Sequence, residues 1–389
     1  PDMTLYWRAL TPTGEDWHVG LTLVGPEVAD GSARERWAVG LRSARWARTP
    51  PRIVQWPRDG YARMDFHMDV PPGMPPGTYT LVMALFDRAT ATPVSVLNAE
   101  GNPVGPELAL GDVTLLPPDE PPDLASLDVE AADPLRCGPV MLWEAGLDRE
   151  SAGPGDLVTL RMVWEAVLAP SEDMRVTLVL RDEAGTEVRT WDRPPVAAWW
   201  PTRLWQSEQR WVGRAEIRLP GSLESGVYTL ALSLAGCDLG SWPLSVEAPE
   251  RAWRVPQGFT RGGAELGEVV ALAGYRIAAD TVAAGERLDV ALAWEALAEM
   301  DISYRVYLHL IEPGGRILTQ DDGEPVAWTR PTTGWAVSEV VVDVRSLGVP
   351  ADAEPGVYEV RVGMYGPDGV RLQTASGQDG IAIGVVRVE

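Results

Sequence analysis

"MVWEAV" at residues 162–167 and "LAWEAL" at residues 292–297 place a Trp third and an Ala fifth, and "LYWRAL" at residues 5–10 repeats the pattern near the start of the chain. A copied structural unit carries its other landmarks along at the same offset, whereas scattered catalytic residues need not. The landmarks travel together. Trp164 recurs 130 positions later as Trp294, Gly185 as Gly315, Trp205 as Trp335, and Tyr228 of "SGVYTLAL" as Tyr358 of "PGVYEVRV". In the first copy Tyr79 of "PGTYTLVM" follows Trp7 by 72 residues, against 64 in the other two, so an insertion is expected within residues 29–52.

A period of 130 is too long for a solenoid repeat and suits a unit that buries its own core. The 389 residues therefore read as three units, 1–117, 135–249 and 250–389. The Pro- and acid-rich stretch 118–134 reads as an extended spacer, and a weaker break falls at 248–265. Only six residues precede Trp7, against about 25 between the first expected strand of the third unit, at 269, and Trp294, so the first is expected to be a shortened or incomplete sandwich.

Inside a copy the apolar period is two: Leu288, Val290, Leu292 and Trp294 share one face, as do Val306, Leu308 and Leu310. Turns such as "EPGGR" at 312–316 and "GPDG" at 366–369 punctuate these runs, and long amphipathic helix patterns are missing. The expected fold is all-β, three tandem immunoglobulin-like antiparallel β-sandwich domains. In the third copy strands are expected at 269–277, 287–295, 303–311, 316–320, 335–344, 356–365 and 381–388. Trp7, Trp164 and Trp294 then fill the space between sheets, as do Trp205, Trp335 and their first-copy counterpart Trp56. Tyr79, Tyr228 and Tyr358 stand at the corner before the penultimate strand, where a tyrosine hydroxyl binds nearby backbone. The repeated motif is a fold signature and carries no chemistry of its own.

The formal net charge is −23, and all 33 basic residues are Arg. So acidic a surface argues against nucleic acid and against docking on anionic lipid. No apolar run approaches the roughly 20 residues of a membrane-spanning helix, and no signal-peptide pattern opens the sequence. Cys137 and Cys237 both fall in the second copy, flanking its first and last strands; a disulfide or two separate thiols are the alternatives. His18, His67 and His309 are isolated from other metal-ligand types and are expected on strand surfaces or edges. Nucleophile-elbow, phosphate-loop, dinucleotide and zinc-peptidase motifs are missing, so no enzyme reading has an anchor and no cofactor is implied. "TQDDGEP" at 319–325 offers Asp321, Asp322 and Glu324 as a weak calcium candidate, with a solvated acidic turn as its rival.

The strongest functional feature is aromatic bias: 17 Trp against 3 Phe. Surface Trp stacks on sugar faces. Trp199 and Trp200 have no aromatic counterparts in the third copy, and with Trp37 and Trp46 they are the candidates for a glycan or protein contact; interdomain packing is the rival reading.

The third copy, through "LAGYRIAADTVAAGERLDVALAWEAL", "YRVYLHLIEPGGRILTQDDGEP", "RPTTGW" and "PGVYEVRVGMYGPDG", resembles the extracytoplasmic C-terminal β-sandwich repeats of bacterial, Chloroflexi-type membrane glycosyltransferases of the dolichyl-phosphate-mannose mannosyltransferase type. The resemblance covers all of copy three, most of copy two and less of copy one. It implies a non-catalytic, extracytoplasmic binding or spacer module accessory to such an enzyme, with a cell-envelope protein or glycan as partner and no nucleic acid. Two alternatives stand: a carbohydrate-binding module, with an exposed Trp row on one sheet, and a structural subunit of a cell-surface layer or filament, with large apolar faces pairing between chains.

Overall fold

The computed structural model of the chain describes residues 2–8, 17–27, 34–43, 61–87, 93–99, 101–130 and 133–389. It is all-β, as the period-two alternation requires. The first copy supplies β1 (Asp2–Arg8), β2 (Trp17–Val24), β3 (Arg36–Ala38), β4 (Gly40–Ser43), β5 (Tyr61–Asp69), β6 (Gly77–Asp87), the short pair β7 (Val96–Leu97) and β8 (Pro103–Gly105), and β9 (Glu107–Leu115). They form the sheets β1-β5-β4 and β3-β2-β6-β9.

The second copy contains β10 (Leu135–Cys137), β11 (Val140–Leu147), β12 (Ser151–Ala152), β13 (Leu157–Ala166), β14 (Val176–Arg181), β15 (Glu187–Arg193), β16 (Arg210–Arg218), β17 (Gly226–Leu234) and β18 (Cys237–Val246). The third contains β19 (Thr260–Leu266), β20 (Val270–Ile277), β21 (Thr281–Val282), β22 (Arg287–Ala296), β23 (Arg305–Ile311), β24 (Ile317–Gly323), β25 (Val340–Gly348), β26 (Gly356–Tyr365) and β27 (Ile381–Val388). Their plans coincide: β10-β11-β13-β16 faces β12-β18-β17-β14-β15, and β19-β20-β22-β25 faces β21-β27-β26-β23-β24. The short strands β12 and β21 run parallel to β18 and β27, while the other ladders are antiparallel.

Cores form where the alternation places them. Val158, Leu160, Met162 and Trp164 on β13 are fully buried against Leu178, Leu180, Leu230 and Leu232 of the facing sheet. Val290, Leu292 and Trp294 on β22 meet Val306, Leu308, Leu310 and Val360 in the same way. Each tyrosine corner closes identically: the Tyr79, Tyr228 and Tyr358 hydroxyls donate to the carbonyls of Pro75 (2.7 Å), Glu224 (3.2 Å) and Glu354 (2.7 Å), four residues upstream.

The two complete copies part at the last connection. β17 and β18 are joined by Ala235 and Gly236, whereas residues 366–380 join β26 to β27, so the final strands end 142 positions apart, at Val246 and Val388. In copy two Cys137 and Cys237 are bonded across this edge, Cα to Cα 6.1 Å. In copy three Gly267 takes the place of Cys137: its N–H donates to Gln373 (2.9 Å), and Leu372 lies where a side chain at 267 would be. A covalent staple in one copy is replaced by an apolar and backbone staple in the other.

Several expectations need correction. The strand expected from Trp335 begins at Val340, because 332–334 form a 3-10 turn that Trp335 caps. β19 and β21 carried no clear alternation and were not expected. Among the described residues the first copy has no counterpart of the β10–β11 hairpin, and β4 extends its sheet on the far side of β5. The stretch 118–134 is not a free spacer: Ala125–Leu127 make a 3-10 turn, and Leu127 and Val129 are buried in the core cluster of the first copy.

Replacing Cys137 and Cys237 by Ser should lower the stability of the second copy by ~2–5 kcal/mol, the range for losing a cross-link that closes so long a loop. The check is thermal unfolding beside the untreated protein, with the reduced protein following the variant; copy three should melt unchanged.

Candidate functional site at the junctions between copies

The C-terminal side of β15 leads into the connection 194–209, which the apolar sequence "PPVAAWWPTRLW" folds onto two surfaces at once. Thr202 fixes it: the hydroxyl donates to Glu172 O (2.8 Å) and accepts the Met174 N–H (2.8 Å). Thr332 repeats both bonds with Ile302 O and Tyr304 N–H. Trp205 and Trp335 are buried beneath, donating Nε1–H to the carbonyls of Trp200 (3.2 Å) and Arg330 (3.1 Å).

From this anchored turn copy two reaches copy one. Trp199 lies edge-on to the buried Tyr79 ring, 6.0 Å between centroids, and over Gly25 and Gly77; a Cβ on Gly25 would meet the indole at 2.6 Å. Burial pushes the Tyr79 phenol up. Beside it the outward face of β13 and β16 packs against the first copy: Val163 and Val212 are buried there with Leu127, and the Val212 N–H donates to Gly73 O (2.8 Å). Arg214 stacks on the buried Trp37, 5.3 Å to the ring, and donates to Arg36 O (3.0 Å). The Trp37 indole donates to Glu35 (3.3 Å). Burial raises the Glu35 carboxyl from its ordinary 4.5 to about 7, against the lowering pull of the Trp37 bond and Arg214. A cleft of about 490 Å³ opens here, lined by Trp37, Pro71, Glu144, Asp148, Arg161 and Arg214.

Copies two and three meet through the equivalent turn. The carbonyl of Trp335 lies 2.6 Å from where a Cβ on Gly221 would stand, so only glycine fits that seat. Arg251, from the second connection, donates to Gly221 O (2.6 Å) and Leu223 O (3.1 Å) and pairs with Glu339. Glu339 is fully buried; it also accepts the Ala336 N–H (2.9 Å) and pairs with Arg330. Arg189 grips Glu299 with two bonds, 3.2 and 2.8 Å. A buried carboxylate with this many donors is tolerated, whereas removal of one partner costs several kcal/mol.

The turn itself differs between copies for one reason. Gly213 on β16 lets the Pro195 carbonyl lie against the strand; the matching residue on β25 is Asp343. Asp343 is buried, accepts the Val326 N–H (2.8 Å) and pairs with Arg345 (2.6 Å), which also donates to Gly323 O (2.9 Å) and Glu324 O (3.2 Å). The displaced chain coils left-handed through Val326, Ala327 and Trp328 (φ +53°, +49°, +69°). That conformation costs L residues roughly 1–2 kcal/mol each. Trp328 is left 58% exposed.

Of the candidate contact residues, Trp37 is buried under Arg214 and Trp199 is seated in copy one. Trp200 packs edge-on to Trp211, 5.6 Å away, against the second core. All three are packed against neighbouring elements: Trp199 on Gly25, Gly77 and Tyr79, Trp200 on Trp211, and Trp37 between the first core and the Arg214 guanidinium. Trp46 lies outside the described residues, as does Trp56. Trp7 on β1 is half-buried beside the first core, and Trp164 and Trp294 are fully buried. The calcium candidate comes apart: Asp321 and Asp322 are successive strand residues on opposite faces, Asp321 is tied to Arg345 (3.2 Å) and Asp322 faces His309 (3.5 Å). Among the described residues no group of three His, Cys, Asp or Glu could hold a metal ion. His309 is buried rather than at a surface, against Tyr307 (4.6 Å). Unanticipated were Arg251, Glu339, Glu35, Asp343 and Arg345. A signal for the last two existed: in "VVVDVRSLG" they fall in phase with the core positions Val341 and Leu347.

No family model matches the chain, and no curated protein matches it. One solved structure, Pseudomonas fluorescens alkylpurine DNA glycosylase AlkC bound to DNA containing an abasic site analog, is similar over 28% of this chain and 31% of that one, at 11% identity and TM-score 0.21. A likeness of that size carries no argument about fold or function.

Glu35 gives the first junction a pH dependence. Because its folded value is raised, the stabilisation is complete below about pH 4.5 and is lost as the pH rises through about 7. At ~1.4 kcal/mol per unit this amounts to up to ~3 kcal/mol. Unfolding of the first copy followed at pH 4.5 and 8 should show the loss, and Glu35→Gln should abolish most of the difference.

Proposed function

We propose that the chain is a non-catalytic, extracytoplasmic spacer and binding module of three tandem immunoglobulin-like sandwiches, accessory to a membrane glycosyltransferase. The observation that carries this reading is the fate of the Trp-rich connection. It is fixed by Thr202, seated in copy one through Trp199 and backed by Trp211, so its large apolar rings serve to join copies. The Arg251–Glu339–Arg330 knot does the same at the second junction. Domains within a chain move relative to one another by default unless their interface is large and apolar. Buried backbone bonds, an inserted Trp and a buried ion cluster favour a stiff arm that holds its ends at a fixed separation. The Cys137–Cys237 bond supports an oxidising compartment, since such bonds persist outside the reducing cytosol. The association with a glycosyltransferase rests on the resemblance of the third copy.

Small-angle X-ray scattering tests the stiffness directly. The wild-type protein should give one narrow, concentration-independent distance distribution, and Trp199→Ala should broaden it by loosening the first junction while leaving copies two and three intact. A broad distribution for the wild-type chain would overturn the spacer reading.

A further inference from the structure

Copy one differs from its sister copies along one side. In copy two β11 pairs with β13, and the short β12 runs parallel to the last strand, β18; in copy three β20 and β21 do the same beside β22 and β27. Each time one continuous run, 140–152 or 270–282, serves both sheets by crossing from one to the other. Among the described residues copy one has neither strand: β1 pairs with β5 alone, and β9 with β6 alone.

Burial marks this side as open. The inward row of β1, Met3, Leu5 and Trp7, is only partly buried, whereas the matching Leu160, Met162 and Trp164, and Val290, Leu292 and Trp294, are fully buried. On the facing sheet Val113 and Leu115 of β9 are partly exposed, whereas Leu244, Val246, Val386 and Val388 in the same places are at most 1% exposed. At the end of β9 a hollow of about 250 Å³ is lined by Val70, Pro71, Met74, Leu115 and Leu116. The sister copies fill that place with the chain that follows the short strand: Leu219, the counterpart of Val70, donates its N–H to Asp156 O (2.9 Å), and Val349 to Glu286 O (2.8 Å). An apolar row between two strand edges is what an added strand covers, because its ladder satisfies the edge N–H and C=O groups while alternate side chains enter the core. Sheets packed about 10 Å apart admit a single extended chain at such a side and exclude a folded domain.

We propose that this side of copy one is a strand-acceptor seat, and that its occupant is an extended segment of a partner polypeptide patterned like 140–152 and 270–282. Such a segment sets apolar residues opposite Trp7, Leu5 and Met3, as Leu142, Ala145 and Leu147 stand opposite Trp164, Met162 and Leu160. It then crosses to lie parallel to β9, with a residue like Ala152 or Val282 beside Leu115. The inference supplies the chemistry of a partner for the proposed binding module and is independent of its stiffness, so scattering and strand binding can fail separately.

Hydrogen–deuterium exchange of the full chain, alone and with the synthetic peptide VMLWEAGLDRESA (residues 140–152), tests it. Alone, β1 and β9 should exchange faster than β13 and β18, because an uncovered strand edge opens readily. The peptide should slow β1 and β9 together by about tenfold and raise the melting temperature of copy one, leaving copies two and three unchanged. A scrambled peptide, and the same peptide with Ala145→Pro, should do neither, since proline breaks a strand ladder; these controls leave the protein itself unaltered. Exchange of β1 and β9 as slow as in the sister copies without peptide, equal slowing by the proline peptide, or no slowing by the parent peptide would each overturn the proposal. Slowing seen only in a chimera with residues 135–158 joined ahead of Asp2 would assign the seat to the chain's own polypeptide and overturn the partner.

Discussion

The hydroxyl of Thr202, shared between the Glu172 carbonyl and the Met174 N–H, and that of Thr332, shared between Ile302 and Tyr304, hold the long irregular connection by which β15 crosses to β16, and β24 to β25, in the two complete sandwiches. A buried turn must satisfy its own backbone, and these bonds do so while Trp205 and Trp335 close the core below with their indole N–H groups engaged. Once the turn is fixed, its other side is a rigid surface, and the preceding copy is built against it. Sandwich closure and copy-to-copy docking therefore depend on the same few atoms. A substitution that frees the threonine would disturb both together.

On this shared frame, a single strand position accounts for the divergence between the second and third copies. Gly213 admits the Pro195 carbonyl and leaves an aromatic loop that reaches copy one. Asp343 fills that space, recruits Arg345 and Asp321, and drives the chain into the left-handed turn that exposes Trp328. The sequences entering the two turns are almost the same, "PVAA" and "PVAW", so local propensity does not choose between them. The partner strand does. This is tertiary context overriding a local signal, through sterics at one Cβ.

How much was legible from sequence follows the same division. Alternation and the offset of 130 placed the core strands of copies two and three, because burying one face of a strand leaves a period that survives copying. The same periodicity is silent about outward faces. Val163 and Val212 fall out of phase with the core positions of their strands and are buried by the neighbouring copy, as is Trp37, which the sequence offers as a contact candidate. The stretch 118–134 looked like a spacer because its composition is polar, yet Leu127 and Val129 suffice to pin it. His309 looked like a surface residue because a twelve-residue lengthening of the last connection leaves no apolar period, although that segment folds back over the sheet. Gly213 and Asp343 stood in matching positions throughout; their meaning lay in the carbonyl across from them.

The glycine seat at the second junction also sets the order of the copies. Gly221 accepts the Trp335 carbonyl at a distance that leaves no room for a methyl group, and the third copy carries Ala351 at the matching position. A shuffled chain with copies two and three exchanged would bring the Ala351 methyl against the equivalent carbonyl of copy two, that of Trp205, so the units are not interchangeable beads. Each has become specific to its neighbour, and any lengthening of the array by simple duplication of its third member would have to be accompanied by reversal of that one residue to glycine.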